Sequence, residues 1–371
     1  MKKHSKTVCA FNYGPHYRLA IYSKMADELG VDFFLGDKLL TQILPLDATR
    51  ISRFRGWLKN RWFKGFYWQS GFLRHFFQYQ TFILTGEIKN TTSWTILLLS
   101  TIFRKRVILW THGWYAQGGV FNRVIQRLYF RWADALLVYS NRGKQVLQSQ
   151  GVDAKRIYCI SNSLDYDNQL KIRHKLHQTN LFLNHFGNDL PVLSFVGRLQ
   201  KVKKIELLLK AVQTLKKQNK PVNLVLIGQG DDSDSLKKRT KELGINEHVW
   251  FYGPCYKEEE IGELLYQSLL CVSPGNVGLT AIHAMMYGTP VASHNDFDTQ
   301  MPEVEAIIPQ ETGFLFQPSD VDSLVQGIGE WLSMHNDPEC RNRIRQNCFR
   351  RIDRYFNPNY QIAVLKEILG Y

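Results

Sequence analysis

Two series of alternating strand and helix patterns, one after the other, constrain this chain more than any other feature. In the first, apolar runs at 7–11, 31–35, 81–85, 107–110, 135–139 and 157–161 read as strands, with helical periodicity at 19–29, 91–103, 120–133 and 142–150 between them. In the second, strands at 192–196, 223–227, 248–252, 269–272, 290–293 and 313–316 alternate with helices at 205–215, 234–243, 258–267 and 321–334. Strands joined through helices pair in parallel, so the expected class is α/β, with two Rossmann-like βαβ domains facing across a cleft. The expected division is an N-terminal domain over 1–175 and a linker over 176–190, in polar text that loses its period from Tyr166 to Asp189. A C-terminal domain follows over 191–340, then a helical segment over 341–371 expected to return toward the first domain.

The chain has 371 residues, enough for two full cores. Its start, MKKHSKTVCAFNYG, lacks the apolar core of a signal peptide and reads as a first strand. The apolar run from Trp94 to Phe103 is too short to cross a bilayer. The six cysteines form no CxxC or Cys/His cluster and read as reduced, structural and cytosolic. Charge is divided unevenly: residues 1–185 hold 27 Lys and Arg against 10 Asp and Glu, whereas 186–371 hold 20 against 23. The N-terminal half is therefore expected to meet an anionic surface. Between Asp47 and Glu87 there is no acidic residue, and Arg50, Arg53, Arg55, Lys59, Arg61, Lys64 and Arg74 interleave with Phe54, Trp57, Trp62, Phe63, Phe66, Tyr67, Trp68, Phe72, Phe76 and Phe77. Rings and cations mixed in this way suit the interface of an anionic membrane, and single-stranded nucleic acid would also accept them. The plainer alternative is an apolar core face with cations on a solvated helix face. No helix-turn-helix, zinc finger or RNA-binding signature accompanies the charge, so nucleic acid is not the expected partner.

Within the second series, SPGNVGLTAIHAMMYGTPVA from Ser273 reads as a strand end, a Pro/Gly turn and a helix opening near Leu279. A helix start after such a turn points N–H groups at a phosphate, with Gly275 and Gly278 permitting close approach and Thr280 adding a hydroxyl donor. By itself this is also an ordinary α/β connection. His112, in THGW at the end of a first-series strand, stands where open sheets place ligand chemistry.

The second half resembles the retaining, nucleotide-sugar-dependent glycosyltransferases of family 4, which have the GT-B architecture. The match lies in FVGRLQKVKKIELLLKA from Phe195, LVLIGQGDDSDSLKKRTKELGI from Leu224, VWFYGPC from Val249, SPGNVGLTAIHAMMYGTPVAS from Ser273 and TGFLF from Thr312. The first half matches in outline only, through the Gly14 loop and THGW. The resemblance implies that Arg198 and Lys203 grip the donor diphosphate and that His112 binds and polarises the transferred sugar. It makes these three the catalytic group. It places Gly14, Asn276, Gly278, Leu279, Thr280 and His283 against the donor. The family's two glutamates, eight positions apart, fall on Gly275 and His283; Asn276, His283, Glu303 or Glu305 are the candidate substitutes. Members with a SPGNVGLT-type loop are assigned to bacterial capsule or exopolysaccharide assembly. The implied enzyme transfers a hexose from a UDP- or GDP-linked donor to a lipid-linked saccharide, without metal or other cofactor. It would work in the cytoplasm, peripherally on the inner face of the cell membrane. The alternative is a non-catalytic relative kept as a binding or scaffold protein.

Overall fold

The computed structural model describes residues 7–38, 43–114, 119–334 and 337–371. Two compact units divide the chain: residues up to Asp165 together with Asn357–Tyr371, and Tyr166–Phe356.

The first unit runs β1 (Thr7–Phe11), α1 (Leu19–Leu29), β2 (Asp32–Gly36), β3 (Phe54–Phe63), β4 (Phe66–Ser70), β5 (Thr81–Thr85), α2 (Thr91–Phe103), β6 (Arg106–Thr111), α3 (Val120–Trp132), β7 (Ala135–Val138), α4 (Asn141–Ser149) and β8 (Ile157–Cys159). These strands form one sheet in the order β4-β3-β2-β1-β5-β6-β7-β8. All neighbours pair in parallel except β3 with β4. β1 is buried at every position because helices cover both faces of the sheet. Strand order reverses between β1 and β5, which opens a crevice at their C-terminal ends.

The second unit runs α5 (Tyr166–Arg173), α6 (Leu181–Phe186), β9 (Val192–Val196), α7 (Ile205–Lys217), β10 (Asn223–Ile227), α8 (Ser233–Glu242), β11 (Val249–Gly253), α9 (Glu258–Gln267), β12 (Leu270–Ser273), α10 (Thr280–Met286), β13 (Val291–His294), β14 (Gly313–Phe316), α11 (Val321–Met334) and α12 (Pro338–Tyr355). Its parallel sheet has the order β11-β10-β9-β12-β13-β14, reversing between β9 and β12. Both units are Rossmann-like.

Three features depart from the sequence reading. The basic, aromatic stretch is built on a β-hairpin, where the plainer alternative had a helix, and only part of it is open to an interface: Leu58, Asn60, Tyr67, Gln69, Phe72 and Phe76 are buried, while Trp57, Lys59, Arg61, Phe63, Phe66 and Trp68 are exposed. The polar text at 166–190 is no free linker, since it holds α5 and α6 and clusters with the second unit. Phe182 of α6 packs into a core with Val192, Val225 and Leu264, an anchor that a polar average conceals. The final helical text divides between the units: α12 clusters with the second, and α13 (Pro358–Leu369) with the first.

Candidate functional site

Arg198 and Lys203 follow β9, and residues 274–279 follow β12, so both segments lie at the sheet's switch point. The Lys203 Nζ donates to the Asn276 carbonyl at 2.8 Å and to its Oδ1 at 2.9 Å. Burial lowers the Lys203 pKa, partly opposed by the charge of Glu303, itself buried. Arg198, five residues before Lys203, is exposed.

Backbone approach fixes this arrangement. The Gly275 N–H donates to the Lys203 carbonyl at 3.0 Å. A Cβ on Gly275 would stand 2.3 Å from the Val202 oxygen and 2.8 Å from the Lys203 Cα. A side chain there would require the 202–203 backbone to shift. Gly278 differs, since a Cβ would meet only the Met301 Cγ at 3.8 Å, an ordinary contact. The close approach expected of both glycines belongs to Gly275, and it is toward the protein's own backbone. Thr280 Oγ1 donates to the Val196 carbonyl at 3.1 Å, so its proton is committed within the fold. Leu279 is half-buried ahead of α10. Gln300 ties the loop down: its Oε1 accepts from Val277 N at 2.8 Å while its Nε2 donates to Ser293 Oγ and to the His294 carbonyl.

His283 does not stand alone on α10. Its Nε2 lies 2.7 Å from Glu258 Oε1. Glu305 is half-buried, and its carbonyl accepts from Arg351 at 2.7 Å.

In the first unit, His112 follows β6 beside a cavity of about 210 Å³ that also takes in Arg18, Trp110 and Tyr139. The His112 ring lies 4.7 Å from that of Tyr139. It keeps an exposed edge, yet it sits in a recess crowded by protein, and this crowding together with the Arg18 charge pulls its pKa down to about 4. At neutral pH it is an uncharged imidazole. Arg18 is buried, stacks over Trp110 and Tyr139, and donates to the Tyr139 hydroxyl at 2.6 Å. Gly14 is buried where a Cβ would meet Leu35 at 2.8 Å, so in this unit it serves packing.

Arg18, Gln300 and Glu258 escaped the sequence reading. Arg18 had a signal, for it shares the helical stripe of Ile21, Tyr22, Met25 and Leu29, and a cation on a buried stripe needs a reason. Gln300 had none, because its partners, the Val277 N–H, the Ser293 hydroxyl and the His294 carbonyl, come together only when the two loops fold.

Residues 179–351 match the family model described as "Glycosyl transferases group 1". An uncharacterized glycosyltransferase of Haemophilus influenzae is 29% identical over 149 residues, 39% of this chain and 39% of that protein. Uncharacterized glycosyltransferase MJ1069 of Methanocaldococcus jannaschii is 24% identical over 67% of this chain and 61% of its own length. The chain thus spans less than two thirds of either relative. Among solved structures, a glycosyltransferase from Rickettsia africae superposes with a TM-score of 0.75 at 15% identity, covering 99% of this chain and 98% of that one. HepE from Anabaena, in complex with UDP, superposes with a TM-score of 0.72 at 16% identity, covering 99% and 100%. These likenesses establish the fold.

Proposed function

We propose that the protein is a retaining glycosyltransferase that moves a hexose from a nucleotide-sugar donor to a lipid-linked saccharide in bacterial surface polysaccharide synthesis. The observation that carries this reading is the pair of cations after β9, Arg198 and Lys203, at the switch point of a unit matching group 1 glycosyltransferases. As the glycosidic bond to the diphosphate breaks, its electrons pass to the leaving oxygen. Fixed cations stabilise that charge most where it grows, so Arg198 and Lys203 act on the transition state without requiring a metal. Lys203 is preorganised by Asn276. Neutral His112 is suited to hydrogen-bond the transferred sugar without adding a charge. A thermal-shift panel of UDP- and GDP-sugars tests the reading, since a ligand that binds only the folded state raises Tm. Transfer to a lipid-linked acceptor then tests the reaction. No stabilisation by any nucleotide sugar would refute the reading. Stabilisation without hydrolysis or transfer would favour the binding protein, a reading supported by the closed Gly275 position.

Placement on an anionic membrane is part of the proposal. Among the described residues no helix is long and apolar enough to cross a membrane. The hairpin instead offers Trp57, Phe63, Phe66 and Trp68, between 47 and 73% exposed, with Lys59 and Arg61 among them. Arg53 and Arg55 are not free to join them, because both donate to the Asp32 carboxylate, at 2.9 and 3.0 Å. A second exposed ridge, Phe121, Val124, Leu128 and Trp132, runs along α3 beside Arg123, Arg127 and Arg131. Both surfaces join apolar bodies to cations, the combination an anionic interface selects.

A further inference from the structure

Gln300 lies in the loop between β13 and β14, where a glutamine side chain is ordinarily left to solvent, yet both ends of its amide are engaged. Its Oε1 accepts from the Val277 N–H at 2.8 Å, and its Nε2 donates to Ser293 Oγ at 2.8 Å and to the His294 carbonyl at 3.0 Å. A backbone N–H can only donate and a carbonyl can only accept, so these partners fix which way the amide points. The end of β13 therefore holds the side chain by its nitrogen, and its oxygen holds the loop after β12.

What Gln300 holds is one peptide group. The N–H of Val277 and the carbonyl of Asn276 belong to the same planar unit, so fixing one fixes the other. That carbonyl accepts from Lys203 Nζ at 2.8 Å, and the Asn276 Oδ1 accepts from the same ammonium at 2.9 Å. The peptide is gripped at its nitrogen by Gln300 and at its oxygen by Lys203. Donation from its N–H also polarises the group, which makes its carbonyl the better acceptor. Val277 is fully buried, and a buried N–H is costly to leave unpaired, so loss of the Gln300 oxygen would press the peptide to turn. An ammonium carries three protons, of which Asn276 takes two. Among the described residues the third has no acceptor.

We propose that Gln300 is a positioning residue that, through the Asn276–Val277 peptide, aims the remaining N–H of Lys203 at the diphosphate of the nucleotide donor. The inference rests on the nucleotide-sugar reading above. Gln300 needs no contact with the donor, and its effect passes through Lys203.

The test is a double-mutant cycle read by calorimetric binding of UDP and of uridine to the full chain, with GDP and guanosine in their place if the thermal-shift panel selects guanine. Lys203→Ala should weaken UDP by about tenfold or more, the scale of a charge-assisted hydrogen bond. Gln300→Met keeps the length and bulk of the side chain without its amide. It should weaken UDP by about fivefold, the scale of one hydrogen bond, and leave uridine unchanged. In a Lys203→Ala background the same substitution should do nothing further, whereas in an Arg198→Ala background it should keep its full effect. Ser293→Ala removes one of the two Nε2 acceptors and should show a smaller loss with the same dependence on Lys203, which serves if Gln300→Met does not fold. A merely structural anchor would weaken UDP and uridine together, in every background. That outcome would overturn the inference and leave the nucleotide-sugar reading intact, as would wild-type binding of UDP by either the Gln300→Met or the Lys203→Ala protein. A wild type that binds no nucleotide and no nucleotide sugar would remove both.

Discussion

The loop after β12 and the hairpin of β3 and β4 both carry the protein's expected contacts, but they are built on opposite principles. In the loop, position is set by backbone: Gly275 lies against Val202 and Lys203 so closely that one added carbon has no place. On the hairpin, position hardly matters, because the face is a set of exposed rings and cations that act through their number. One site should therefore fail at a single substitution, whereas the other should fade with each charge removed.

The largest expected effect is at the cations of the loop side. Lys203→Ala or Arg198→Ala should lower kcat/KM by on the order of a hundredfold or more, as expected for charge stabilisation realised in the transition state. Steady-state kinetics within a few-fold of wild type in both variants would remove them from the site. Gly275→Ala comes next. The new methyl must push the 201–203 turn aside, an overpacking that costs about 1–3 kcal/mol and moves Lys203 with it. Both Tm and donor affinity should fall, and a variant with wild-type melting and kinetics would show that the backbone contact is not what fixes the loop. On the hairpin, Lys59→Gln with Arg61→Gln should weaken binding to phosphatidylserine vesicles by about 2 kcal/mol at low salt, each cation contributing about 1 kcal/mol before screening. Equal sedimentation of wild type and variant with these vesicles would remove the hairpin cations from membrane contact and assign any binding to the α3 ridge. Gly278→Ala should do least. Its Cβ meets only ordinary contact, so the change in stability should stay within about 0.5 kcal/mol. A large loss there would make the glycine contrast false.

The same opposition explains what could be read from the sequence. Buried parallel strands such as Val192–Val196 and Asn223–Ile227 announce themselves as short apolar runs between helical patterns, and the structure has them where they were expected. Arg198, Lys203 and Asn276 were singled out by the family resemblance and not by their own composition, which reads as a solvated turn; the structure brings Lys203 and Asn276 into contact. The hairpin was not legible, since a strand whose outward positions are Trp57, Lys59, Arg61 and Phe63 shows no polar-out signal. Glu258 was hidden for another reason. It stands in the run Glu258-Glu259-Glu260, which reads as acidic residues favouring a helix start, and only the tertiary placement of His283 singles one of them out.

The division of the last helices bears on how the chain acquires its structure. α13 supplies Ile362, Leu365 and Ile368 to the core that holds Ile21, Met25 and Leu29, and Gln361 bonds Ser163 and the Ser161 carbonyl. The second unit is continuous from Tyr166 to Phe356, whereas the first waits for residues made after it. During synthesis the sheet of the first unit is therefore exposed along the α1 side until α13 arrives, although its strands were translated first. The strands of the first unit thus wait through the synthesis of the whole second unit for their last helix, with their edges open to chaperones and to strand-edge association meanwhile.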